Sequence, residues 1–245
     1  MPIRDDLILR MLDQIGEAIA HVLTGAAPDD LAKAEQELAG AYVALTGSGR
    51  ELVGRLSSEQ LLAILGAPTS FNRERGYVLA RLLEADARLA EMEDGAVAAA
   101  EAGKAPAPTG SPAAAGRRLK ALDLYLEASR AGLDEEDLEE RIEGLEAALA
   151  GRELPEGSHW RAFDHAARRG RFASAEDMLF DGLQRFGSGR EVAERGRAFY
   201  RELEASPDET LEAGSLPRAE VVEGRAAFEA ELGRAPEPDA REGAP

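Results

Sequence analysis

Apolar residues recur at steps of three and four along most of this chain, and that period decides what it can fold into. Leu7, Ile8, Met11, Leu12, Ile15, Ile19 and Val22 form one stripe of a helix whose start suits Asp5 and Asp6. Leu31, Ala34, Leu38, Ala41 and Leu45 form a second, opened by Pro28, Asp29 and Asp30 and stopped at Gly47. The same period predicts helices from Ser57 to Leu65, Asn72 to about Ala100, Leu119 to near Gly132, and Asp134 to Ala150. It continues over Trp160 to Arg169, Phe172 to Phe186, Glu191 to Ala205, a short helix after Ser206, and Pro217 to Leu232. Ser57 with Gln60, and Ser206 with Glu209, have capping-box spacing. No segment sustains an alternation of period two, so the expected fold class is all-α with no sheet.

Residues 103–116 are rich in Ala, Pro and Gly and read as a flexible linker or insert. On that reading the chain divides into an N-terminal helical part, 1–102, and a C-terminal helical part, 117–232, with a disordered tail at 233–245.

The clearest organisation is a recurring small–large–small spacing. Leu31, Ala34, Leu38 and Ala41 share their steps with Phe172, Ala175, Leu179 and Gly182, and with Arg118, Ala121, Tyr125 and Ala128. A small residue lets two helix backbones approach, and the large one a turn later fills the neighbouring groove. Gly47-Ser48-Gly49-Arg50-Glu51 and Gly187-Ser188-Gly189-Arg190-Glu191 are the same pentapeptide. Each follows the second helix of a pair, where Gly suits the helix end and Ser-Gly the next start. A phosphate-binding reading would need a preceding strand or a Gly-Lys-Ser/Thr sequence, and neither is present.

The spacing resembles the tetratricopeptide repeat, which implies irregular antiparallel helix hairpins arrayed as a right-handed α-α superhelix. Departures are Phe163 where that family has a small residue, a missing closing Pro, and copies about 87 and 54 residues apart. As a whole, the chain resembles an uncharacterised bacterial domain-of-unknown-function family with such hairpins. The resemblance rests on the runs Arg4 to Met11, Phe172 to Phe180 and Ser215 to Gly224, and it implies a fold without a known activity.

Charge and chemistry narrow the function. A net charge of −18 argues against nucleic acid as a partner, which needs clustered cations. No run approaches the ~20 apolar residues of a membrane span, and none at the N-terminus reads as a signal peptide, so a soluble cytoplasmic protein is expected. The absence of cysteine excludes disulfides, thiolate metal sites and Cys nucleophiles. His159 and His165 are six residues apart, off the spacing of a helical ligand pair, and His21 lies far from both in sequence. We therefore expect no metal, no cofactor and no catalytic set.

The most suggestive segment is 160–171, where Trp160, Arg161, His165, Arg168 and Arg169 concentrate cations and aromatic rings in an acidic chain. Arg161, His165 and Arg168 share one helix face, which could hold a carboxylate or phosphate. The alternative is internal pairing with the acidic residues Asp134 to Asp137, Glu139 and Glu140. The sequence thus points to a non-enzymatic helical scaffold for a protein or peptide partner, or for a second copy of itself. The other reading is a regulatory domain that binds a small ligand or anion at 160–171.

Overall fold

A computed structural model describes residues 28–102 and 111–234, with side chains placed over 35–92 and 111–234. The helix expected at Leu7 to Val22 and most of the tail lie outside these residues. Among the described residues the chain is all-α, with eleven helices and no strand. They are α1 (Pro28–Thr46), α2 (Arg50–Arg55), α3 (Ser58–Ile64), α4 (Arg73–Ala102), α5 (Pro112–Arg130) and α6 (Leu138–Ala148). There follow α7 (Glu156–Arg168), α8 (Phe172–Phe186), α9 (Arg190–Ala205), α10 (Asp208–Ala213) and α11 (Arg218–Leu232). None is long and apolar enough to cross a membrane.

The chain forms two compact units, Met1–Glu153 and Leu154–Pro245. In the first, α4 and α5 run antiparallel. Arg73 Nη1 at the start of α4 donates 2.7 Å to the carbonyl of Gly132 past the end of α5, while Arg118 early in α5 pairs with Glu91. Arg75 Nε donates 2.9 Å to the carbonyl of Leu45, so a cation sits at the C-terminal end of α1. α5 is buried without a break from Ala121 to Ala128, including Asp123 and Glu127.

α4 and α5 belong to one unit, and the boundary between the units falls between Glu153 and Leu154. Residues 112–116 open a helix instead of extending a linker. Ser111 Oγ accepts from the amide of Ala114 (3.4 Å), and Pro112 holds the first turn, where its missing N–H costs nothing. The part of that linker at 103–110 lies outside the described residues.

The second unit is two consecutive helix pairs. His159 Nε2 in α7 lies 2.8 Å from the carbonyl of Met178 in α8, and Arg185 near the end of α8 donates to the carbonyl of Leu154, so the two helices are antiparallel. Gly170, at φ 73°, makes the reversal, with Arg171 N bonding Ala166 O and Gly170 N bonding Ala167 O. α9 and α11 form the second pair, tied by Arg197 to Glu229 (2.8 Å). Glycines seat aromatic rings in this unit. A Cβ on Gly182 would lie 2.8 Å from Cζ2 of Trp160, and one on Gly196 would lie 2.9 Å from Cε2 of Phe228. The small–large–small positions whose side chains are described face inward. Ala121, Tyr125, Ala128, Ala175 and Leu179 are fully buried, and Leu38, Ala41 and Gly182 are buried with them.

Both pentapeptides act alike. Gly47 (φ 72°) and Gly187 (φ 83°) take the left-handed conformation just after a helix, and Gly49 and Gly189 are the N-caps of α2 and α9. The first capping box forms, with Ser57 Oγ accepting from Gln60 N at 3.2 Å and Gln60 Oε1 accepting from Ser57 N at 2.9 Å. The second does not. Ser206 ends α9, its hydroxyl donates 2.9 Å to the carbonyl of Glu202, and the residue before α10 is Pro207. The helix expected from Asp134 begins only at Leu138.

Candidate functional site

The face built on Trp160, Arg161, His165, Arg168 and Arg169 is not one open surface. α7 turns Trp160 (5% exposed) and His165 (0%) into the core, leaves Arg161 half-buried, and exposes Arg168 and Arg169. Helical spacing aligns Arg161, His165 and Arg168, but the stripe runs through the packed side of the helix. Of the acidic residues weighed as its counter-charge, Asp137 is committed within the first unit. It accepts from Arg141 Nε at 2.6 Å and from the hydroxyl of Tyr77.

What α7 does offer is one wall of a groove. α7 and α9 lie side by side, with the rings of Phe163 and Phe199 5.4 Å apart and Arg195 Nη1 2.7 Å from Asp164 Oδ1. Between them lies a depression of about 470 Å³. Its floor is apolar, from Phe163, Ala167, Ala198 and Phe199. Its rim carries Asp164, Glu191, Glu194 and Glu202 against Arg168 and Arg195. Arg195 is engaged three times, by both oxygens of Asp164, by Glu191 at 3.4 Å and by the indole of Trp160, whose ring centroid is 5.0 Å from its Cζ. Its charge is therefore largely answered, and the rim is acidic.

Trp160 supports this groove from beneath. It stacks edge-on with Phe163 (5.8 Å) and His159 (4.9 Å), and its far edge rests on Gly182. Burial holds the imidazole of His159 below its usual pKa, against the opposing pull of the Met178 carbonyl and Asp181. Glu191, Glu194, Ala198 and Glu202 follow steps of three, four and four, so the row was readable in the sequence as one helix face. Its apposition to Phe163 was not.

Each of the four tyrosines donates its hydroxyl to a carboxylate: Tyr42 to Asp86, Tyr77 to Asp137, Tyr125 to Glu84 and Tyr200 to Glu176. Burial and the neighbouring acid push the Tyr77 phenol up to about 12 and the other three well above the ordinary range. These pairs satisfy polar atoms inside the core. Among the described residues no group of three His, Asp or Glu side chains is arranged to hold a metal ion.

Neither a curated protein nor a solved structure matches the chain. A family model does, over residues 2–233, and the protein belongs to that family, a family of unknown function (DUF6483).

Proposed function

We propose that the protein is a cytoplasmic, non-enzymatic helical scaffold that binds a basic segment of a partner protein in the groove between α7 and α9. The observation that carries this reading is the pairing of an apolar floor with an acidic rim. An apolar stripe can rest on Ala167 and Ala198 above the buried rings of Phe163 and Phe199, while Lys or Arg side chains meet Glu191, Glu194 and Glu202. The likeness of consecutive helix pairs to tetratricopeptide hairpins supports the same reading, since such arrays present grooves between neighbouring helices.

The test is a titration of the full chain with short amphipathic peptides rich in Lys or Arg, read by Trp160 fluorescence and calorimetry. Acidic peptides of the same apolar pattern serve as controls. The basic series should bind and weaken with salt, and the triple change E191Q/E194Q/E202Q should cost roughly tenfold in affinity, at some tenths of a kcal/mol per rim charge. Equal binding of basic and acidic peptides, or an unchanged affinity in the triple variant, would refute it.

A further inference from the structure

The first unit holds a cavity of opposite character. It is a half-open hollow of about 510 Å³ between α2 and the start of α5, and among the described residues Arg50, Arg55, Arg117 and Lys120 line it against one carboxylate, Glu51. In a chain of net charge −18 such a concentration of cations stands apart from the solvated acidic faces elsewhere.

The cations are held in place before any ligand arrives. Asp86, 2% exposed, accepts from Arg50 Nε at 2.8 Å and from the Tyr42 hydroxyl at 3.3 Å, and pairs with Arg117 Nε at 3.0 Å. One buried carboxylate therefore fixes two guanidinium groups side by side. Nη1 of Arg117 is buried and has no hydrogen-bond acceptor among the described residues. Lys120 donates to the carbonyl of Gly54, and burial followed by the charge of Arg117 lowers its pKa. Glu35 is 3.8 Å from Arg50, and Glu51 is 3.8 Å from Arg55 in a highly exposed pair. The positive end of α5 opens at Pro112, which also lines the cavity. Open space above Gly54 and Gly116 leaves room for a ligand against the backbone.

We propose that this cavity binds the phosphate group of a small phosphorylated compound, with pyrophosphate as the minimal ligand. Preorganised guanidinium forks and an ammonium match tetrahedral oxyanions, and bringing an anion there relieves repulsion among cations already assembled. Among the described residues no aromatic side chain lines the cavity to stack a nucleobase, so the proposed recognition is of the anion.

The test uses the full chain in chloride buffer at constant ionic strength, titrated with inorganic phosphate, pyrophosphate and adenosine diphosphate. Readouts are calorimetry and the thermal midpoint by circular dichroism. Pyrophosphate should bind saturably and raise the midpoint, phosphate should bind more weakly, and the adenine should add less than about threefold in affinity. K120Q and R55Q leave the anchor on Asp86 intact and should keep the unliganded midpoint near that of the parent. Each should weaken pyrophosphate by roughly fivefold to tenfold, the loss of one charge-assisted contact. No saturable binding up to millimolar concentration, or an affinity in both variants equal to that of the parent, would overturn the proposal. Adenosine diphosphate binding far more tightly than pyrophosphate would overturn its restriction to the anion. Failure here leaves the α7–α9 groove untouched, because the two sites lie in different units.

Discussion

Exchanging Gly for Ala at two helix positions should move stability in opposite directions, and the reason lies in what each glycine faces. In the interior of a helix Ala is worth about 1 kcal/mol over Gly. Gly144 in α6 is exposed, with nothing within 4 Å of an added Cβ, so G144A should realise most of that gain. Gly182 in α8 is buried, and its added Cβ would lie 2.8 Å from Cζ2 of Trp160 and 2.9 Å from Nε2 of His159. The indole cannot slide away, because His159, Phe163, Phe186 and the guanidinium of Arg195 pack around it within 6 Å of its centre. Overpacking of a filled core costs about 1–3 kcal/mol. Its upper end applies to a rigid ring boxed in on several sides, so G182A should lose about 2 kcal/mol after the helix gain is counted. Thermal melts followed by Trp160 fluorescence read the second unit, and circular dichroism reads both. For units of these sizes the midpoint of G182A should fall by roughly 10 °C and that of G144A should rise by roughly 3 °C. A rise in both variants would show that the Trp160–Gly182 contact is looser than described and that the small–large–small rule does not govern the packing of α7 on α8.

Further outcomes follow from the buried charges. D86A should destabilise the first unit by about 3 kcal/mol or more in denaturant melts, because it strands the paired guanidinium groups of Arg50 and Arg117. The folded pKa of His159 lies below its unfolded value, so unfolding takes up a proton. Stability is complete above about pH 6.5 and is lost as pH falls through the lower folded value. The second unit should therefore weaken as pH falls below about 6.5, with a shallower slope in H159Q. Glu176 is the opposite case. Burial, with Asp177 and Glu220 nearby, raises its folded pKa despite the Tyr200 hydroxyl, so the fold favours the protonated form. That contribution is present below the unfolded value and lost as pH rises through the folded one, so E176Q should melt higher than the parent at pH 7 and converge with it near pH 4, by calorimetry.

The residues that announce themselves in the sequence are those whose roles are local. Phe172 to Phe186 is a helix with the expected ends because its period, the Gly before it and the Gly after it all act within a few residues. The two pentapeptides were legible for the same reason. The capping boxes show the limit. Ser57 and Ser206 have the same spacing to a Gln or Glu, but Pro207 follows Ser206 and the hydroxyl of Ser206 turns back to α9. Composition misled at 112–116, where Pro, Ala and Gly suggested a linker although Ser111 and Pro112 form a good helix start. Sites were harder still. The acidic row on α9 looks like any solvated helix face until Phe199 is brought against Phe163. Arg50 and Arg117 gain meaning only through Asp86, which is far from both in the chain.

The pairing of every tyrosine with an acid has a consequence for chemical labelling. Tyr42, Tyr77, Tyr125 and Tyr200 are 0%, 6%, 0% and 1% exposed, and each hydroxyl is already engaged as a donor. Reagents that nitrate or iodinate phenolate rings, and kinases that need the hydroxyl in their own active site, should leave the native protein unmarked. Any ring that does react therefore reports a molecule that has opened. Mapping which of the four is modified first would show where this chain begins to come apart, three of them speaking for the first unit and Tyr200 for the second.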